Sequence, residues 1–117
     1  VISSLKLRQE RDLVFRKGKR YNLSFGYLFF YIPVEEEKSE PAEIKILIVA
    51  RKKLGNAVVR NKARRIVKEA LRKVIKENDL KKVILVAIIL TKADLKFEDV
   101  YNEFYEFFKR MAEIRVV

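Results

Sequence analysis

The chain contains no cysteine and no histidine, and only 3 glycines and 2 prolines among its 117 residues. Without cysteine there is no disulfide framework and no thiolate metal site. Without histidine the commonest general base and transition-metal ligand are both missing, which excludes Ser–His and Cys–His triads and histidine-based zinc hydrolase sites. The longest strictly apolar run, Val83 to Leu90, is too short to span a bilayer of roughly 30 Å. No charged stretch followed by an apolar one opens the sequence, so no secretory signal is read there. Repeats and Gly/Ser-rich linkers are absent too, and the length suits one domain over residues 1–117.

What is present is charge and apolar bulk. Lys and Arg number 27 against 16 Asp and Glu, a formal net charge of +11. Half the residues are hydrophobic, including 8 Phe and 5 Tyr, which is enough to build a core and rules out wholesale disorder. The charge is not spread evenly. Residues 1–33 carry a net of +5, 34–43 a net of −4, 44–82 a net of +11 and 83–117 a net of −1. From Arg51 to Arg65 there are seven basic residues and no acidic one. Alternating signs in the C-terminal part suit an ordinary solvated surface, but a stretch without counter-charge is a footprint for phosphates. A polyanion is therefore the expected partner, with no membrane and no small-molecule substrate, in a cytoplasmic setting.

Periodicity supplies the elements. Arg8 to Lys17 reads as a short helix around Leu13 and Val14, ended by Gly18. Leu23 to Ile32 alternates aromatic and aliphatic residues and reads as a strand, with room for a further short strand near Lys19 to Tyr21. The acidic segment between Pro33 and Pro41 reads as a solvated hairpin loop to the next strand, Ile44 to Ala50, antiparallel to the first. Asn56 is a plausible N-cap for a helix from Ala57 to about Glu77, ended by Asn78-Asp79. Val59, Ala63, Ile66, Val67, Ala70, Leu71, Val74 and Ile75 fall on one side of it, and Arg60, Asn61, Arg64, Arg65, Lys68 and Arg72 on the other. Val83 to Leu90 reads as a strand buried on both faces, forming a parallel βαβ unit with Ile44 to Ala50. A last helix places Phe97, Val100, Tyr101, Phe104, Tyr105, Phe108 and Met111 on an apolar stripe expected to be core. The expectation is an α+β fold of order α-β-β-(β)-α-β-α, a mixed sheet covered by helices on one face.

A loop running into a helix N-terminus offers free N–H groups and a positive dipole end to an anion. Arg60, Arg64 and Lys68 follow at i, i+4 spacing, widened by Arg65 and Arg72, and guanidinium forks suit phosphate oxygens. Asn61 is read equally as an RNA contact or a local cap.

The run from Lys52 to Arg65 (KKLGNAVVRNKARR) resembles the signature of the protein subunit of bacterial ribonuclease P, a K-x-G-x-A-V-x-R-N-x-x-x-R pattern known as the RNR region. Val14-Phe15-Arg16-Lys17-Gly18-Lys19 is similar to that family's V-F-x-x-G-K element, and the order of elements fits along roughly the whole chain. The resemblance implies a subunit of an RNA-based endonuclease that removes the 5′ leader of precursor tRNA, with ribonuclease P RNA and precursor tRNA as partners. It implies that Lys52, Lys53, Arg60, Asn61, Lys62, Arg64, Arg65, Lys68 and Arg72 face the catalytic RNA. Phe15 and Phe29 would line a leader cleft, with Arg11, Arg16, Lys17, Lys19 and Arg20 beside it; for Phe29 ordinary core packing is the competing reading. Catalysis and Mg2+ would belong to the RNA, with no catalytic or metal-binding side chain on the protein.

The chain departs from the family pattern in places. Arg11 stands where an aromatic is usual, Lys62 where Arg is usual, and Ala50-Arg51 where a more polar pair ends the strand; the acidic insert is also longer than in many relatives. Two other readings compete: a ribosomal-protein-like structural RNA binder, and a metal-dependent nuclease built on Asp94, Glu98, Asp99, Glu103 and Glu106, whose spacing better suits the solvated face of a helix.

Overall fold

The structure, a computed structural model, describes residues 2–32, 43–78 and 83–116, with side chains described for 2–32, 44–77 and 84–110. The elements run β1 (Ile2–Ser4), α1 (Arg8–Lys17), β2 (Lys19–Leu23), β3 (Gly26–Tyr31), β4 (Glu43–Val49), a 3-10 turn (Lys52–Leu54), α2 (Ala57–Asn78), β5 (Val83–Leu90) and α3 (Phe97–Val116). The five strands form one mixed sheet in the order β1-β4-β5-β3-β2. None of the helices, over the described residues, is long and apolar enough to cross a membrane.

β5 decides this order. All eight of its residues are apolar, so neither face has a polar side to give to water, and only the centre of a sheet covers both. Ile84, Val86, Ile88 and Leu90 point into the main core while Leu85 and Ala87 point into a smaller cluster on the opposite face. Each large aliphatic side chain so buried is worth roughly 1.5–3 kcal/mol. β5 therefore lies between β3, antiparallel to it, and β4, parallel to it. This confirms the βαβ unit and corrects the expected hairpin: β3 and β4 run in opposite directions but are not neighbours. The acidic segment between them, Pro33 to Pro41, lies outside the described residues.

Three further expectations change. The single strand from Leu23 to Ile32 is two strands, because the chain reverses at Ser24-Phe25 and Leu23 pairs with Gly26. That turn switches the alternation, so Leu23 and Phe25 share a core with Leu28 and not with Tyr27 and Phe29. β1, too short for periodicity to reveal, adds a parallel edge strand beside β4. Helices also cover both faces of the sheet, not one. α2 and α3 bury the main core, which gathers Ala63, Val67, Leu71, Val74, Phe104 and Phe108 against the sheet. α1 lies on the opposite face, where Val14 joins Leu5, Leu85 and Ala87.

α1 ends at Gly18 as expected, but not through a left-handed cap. Gly18 is extended (φ −69°, ψ 155°), and its N–H donates to Val14 O at 3.0 Å. A Cβ there would lie 2.2 Å from Val14 O and 2.9 Å from Phe30 O. Glycine is needed because α1 must approach β3 this closely. The apolar stripe on α3 divides as well. Val100, Phe104, Phe107 and Phe108 are core, whereas Phe97, Tyr101 and Tyr105 form an outer ladder with ring centroids 6.2 Å apart at each step. Tyr105 is 40% exposed, and Met111 falls outside the described side chains.

Candidate nucleic-acid interface

Two surfaces collect the residues singled out by sequence. The first is the sheet face beneath α1. Phe15, one residue beyond the buried Val14, is 41% exposed, and its ring sits 5.3 Å from that of Phe29 at an interplanar angle of 60°. Phe29 is half-buried against the Leu5–Val14 cluster, as are Tyr31 and Leu47, so it is at once packing and surface. Arg20 lies on the same face, its guanidinium 4.1 Å from the centroid of the Tyr27 ring, a cation–π contact. Tyr27, 36% exposed, was not among the expected site residues. Its signal was available in the alternation Tyr27, Phe29, Tyr31, once the turn at Ser24 fixes which face the alternation uses. Arg16 and Lys17 stand exposed in the last turn of α1, where cations also suit the helix dipole.

Lys19 does not join them. It pairs with Phe30, whose ring packs 5.1 Å from Phe107 of α3, so the pleat directs Lys19 to the opposite face from Phe15 and Arg20. Arg11 turns toward the N-terminal segment. Its Nε donates to Leu5 O at 2.7 Å, which holds it at the edge of the sheet. There it lines a groove of about 620 Å3 with Asn61, Arg64, Arg65, Lys68 and Arg72.

The second surface is the entry to α2. The 3-10 turn presents Lys52 and Lys53 to solvent, and Gly55 follows at φ 143°. Asn56 caps the helix as expected: its Oδ1 accepts the Val59 N–H at 3.0 Å and its backbone carbonyl accepts Arg60 N–H at 3.0 Å. Asn61 is exposed and makes no cap. Its Oδ1 accepts from Arg64 Nη1 at 3.0 Å, while Arg64 Nη2 reaches Ala50 O at 3.4 Å. Arg64 thus ties α2 to the end of β4, and Asn61 orients it. The Nε of Arg60 is shielded from solvent without a partner among the described residues, a cost of about 1–3 kcal/mol that an acceptor would offset.

Arg65, Lys68 and Arg72 are exposed and have no ion pair among the described residues, where the one salt bridge is Lys45 to Glu10 at 3.0 Å. Lys62 lies elsewhere. It faces a separate groove of about 540 Å3 with Lys53, Ile66 and the segment after β5. Of the nine residues expected on one RNA-facing motif, Asn61, Arg64, Arg65, Lys68 and Arg72 therefore line one groove and Lys53 and Lys62 another. Glu103, a candidate ligand in the nuclease reading, instead accepts hydrogen bonds from the backbone N–H and hydroxyl of Ser24.

A family model described as Ribonuclease P matches residues 2–112. The chain belongs to the ribonuclease P protein family. The ribonuclease P protein component of Bacillus cereus (strain G9842) is 30% identical over 112 residues, spanning 96% of this chain and 93% of the relative. The ribonuclease P protein of Staphylococcus aureus superposes with a TM-score of 0.65 at 25% identity, covering 92% of this chain and 94% of that one. The Thermotoga maritima protein shares the fold with a TM-score of 0.66 at 23% identity, covering 92% and 96%. As a family member, the chain is a protein subunit of a tRNA-processing ribonucleoprotein endonuclease, and its implied partner is ribonuclease P RNA. These matches favour that function over a ribosomal-protein-like role.

Proposed function

We propose that the two surfaces divide the work of the subunit: the α2 surface binds the catalytic RNA, and the aromatic face beneath α1 holds the single-stranded 5′ leader of precursor tRNA. The observation that carries this reading is that α1 and α2 pack on opposite faces of one sheet, which keeps the two surfaces apart. One is aromatic with interleaved guanidinium, the other is cationic and nearly free of carboxylate. Exposed rings at Phe15 and Tyr27 stack on bases of any identity, worth roughly 1–3 kcal/mol per base. Arg16, Lys17 and Arg20 would neutralise the phosphates between those bases. On the other surface, Arg65, Lys68 and Arg72 are unpaired cations among the described residues, and Arg60 adds a guanidinium in the first turn of α2. Lys52, Lys53 and Lys62 extend the same field along the other flank.

Hydrolysis in this reading belongs to the RNA, whose Mg2+ would activate water for in-line attack. The protein contributes charge neutralisation and a fixed platform for the leader. Such a subunit would work in the cytoplasm, where tRNA is made in bacteria.

A salt titration tests the division. Arg65→Ala with Lys68→Ala removes two unpaired cations without disturbing the Arg64 link to Ala50. Affinity for ribonuclease P RNA should fall and its salt slope should flatten by about 0.7–0.9 per lost phosphate contact. An unchanged slope would show that this flank does not meet RNA.

A further inference from the structure

The open edge of β4 brings a second set of cations, from the N-terminal segment, against the α2 surface. β1 ends at Ser4, Leu5 N–H donates to Ile46 O at 2.9 Å, and beyond that point β4 runs to Val49 paired only with β5 on its other side. The chain turns away from this edge into α1. The gap left between the N-terminal segment and α2 is the groove of about 620 Å3, floored by Ile46, Leu47 and Ile48.

Both walls are cationic. Lys6 and Arg11 come from the N-terminal side, and Arg64, Arg65, Lys68 and Arg72 from α2; Glu69 is the one carboxylate among the described lining residues. The bond from Arg11 Nε to Leu5 O anchors the guanidinium at the rim. Its two terminal amino groups have no partner among the described residues, and neither does the Lys6 ammonium. Like charges brought together across a gap repel, and Glu69 is a single carboxylate against six cations among the described lining residues. An arrangement of this kind favours a linear chain of negative charge lying between the walls.

We propose that this groove is an RNA-backbone channel separate from the aromatic face, in which Lys6 and Arg11 grip phosphates from the side opposite α2. The inference deepens the RNA-binding reading above and rests on it. Its ligand is a phosphodiester backbone, which the catalytic RNA or the leader of precursor tRNA can supply. Arg11 in this position does the work of a phosphate clamp, not of a stacking residue.

The test uses the full chain in two arms. One measures affinity for ribonuclease P RNA across a salt series. The other measures affinity of the assembled holoenzyme for precursor tRNA with a long leader and for tRNA with a mature 5′ end. Lys6→Gln/Arg11→Gln should weaken one arm by about tenfold and flatten its salt slope by about 0.7 per lost contact. A loss in the first arm identifies the catalytic RNA as the ligand. A loss confined to the long-leader substrate identifies the leader. Because Arg11 also holds Leu5 O, Lys6→Gln/Arg72→Gln removes one cation from each wall without touching that bond, and it should weaken the same arm. If both double variants match the wild type in both arms, the channel does not bind RNA. Absence of RNA binding by the wild-type chain would overturn the parent reading, and this one with it.

Discussion

Gly55→Ala is the sharpest perturbation of the loop that feeds α2. Gly55 has φ 143° and ψ −173°, a region that is essentially glycine-only and costs about 1–3 kcal/mol for any other residue. The added Cβ would also lie 3.1 Å from Val59 Cγ1 and 3.2 Å from Val59 Cβ. Val59 is 39% exposed and has room to yield, so the backbone cost should dominate. Taking about 2 kcal/mol, the melting temperature of a domain this size should fall by roughly 6–12 °C. If the loop relaxes instead of paying that strain in full, Lys52, Lys53 and the first turn of α2 lose their relative placement. Affinity for ribonuclease P RNA should then drop at temperatures well below the transition. Circular dichroism melting and RNA titration read the two effects separately. Gly55→Ala/Val59→Ala removes the Cγ contact but leaves the Val59 Cβ contact and the backbone strain, so it should stay destabilised. A single variant that melts within about 2 °C of the wild type and binds RNA normally would refute the need for glycine here.

Asn56→Ala removes the side-chain acceptor for Val59 N–H and should cost about 1 kcal/mol in denaturant unfolding, whereas Asn56→Asp should retain most of the stability. Phe15→Ala should weaken holoenzyme binding of leader-bearing precursor by about 1–3 kcal/mol and leave tRNA with a mature 5′ end unaffected; equal losses on both would place Phe15 outside leader binding. Tyr101 donates its hydroxyl proton to Glu77 Oε1 at 2.9 Å, and this bond, with desolvation and the nearby carboxylate charge, holds its ionisation above the ordinary tyrosine value. A raised value in the folded state means stability that is fully present below about pH 10 and lost as pH rises through the folded value. Tyr101→Phe should abolish that alkaline component in stability measured against pH, and an unchanged profile would exclude the Glu77 bond as its source.

Much of the helical framework and the βαβ unit was legible because long periodic segments have one way to bury their apolar side. α1 and β5 have the bounds expected from composition and alternation, and Asn56 caps α2 as its side chain suggests. The other strand neighbours were not legible. A ten-residue acidic segment between two apolar runs looks like a hairpin, yet the doubly apolar β5 takes the central place and separates β3 from β4. The site was legible as a set of residues and not as a geometry. Helical spacing groups Arg64 with Arg65, but only the fold shows Arg64 committed to Ala50 O while Arg65 is free among the described residues. Lys19 and Arg20 are adjacent in sequence and on opposite faces of the sheet, because Lys19 pairs with Phe30 and Arg20 with Phe29. Arg11 and Lys6 acquire their partnership with α2 through the shortness of β1, a feature too local for pattern to reveal.

Leader cleavage at low magnesium tests the proposed role most directly. Ribonuclease P RNA and a precursor tRNA should be incubated with and without the chain, and the release of the 5′ leader followed in time. Faster cleavage with the chain than with RNA alone, and none with the chain by itself, is the expected result. Equal rates with and without the chain, or leader release by the protein in the absence of RNA, would contradict it.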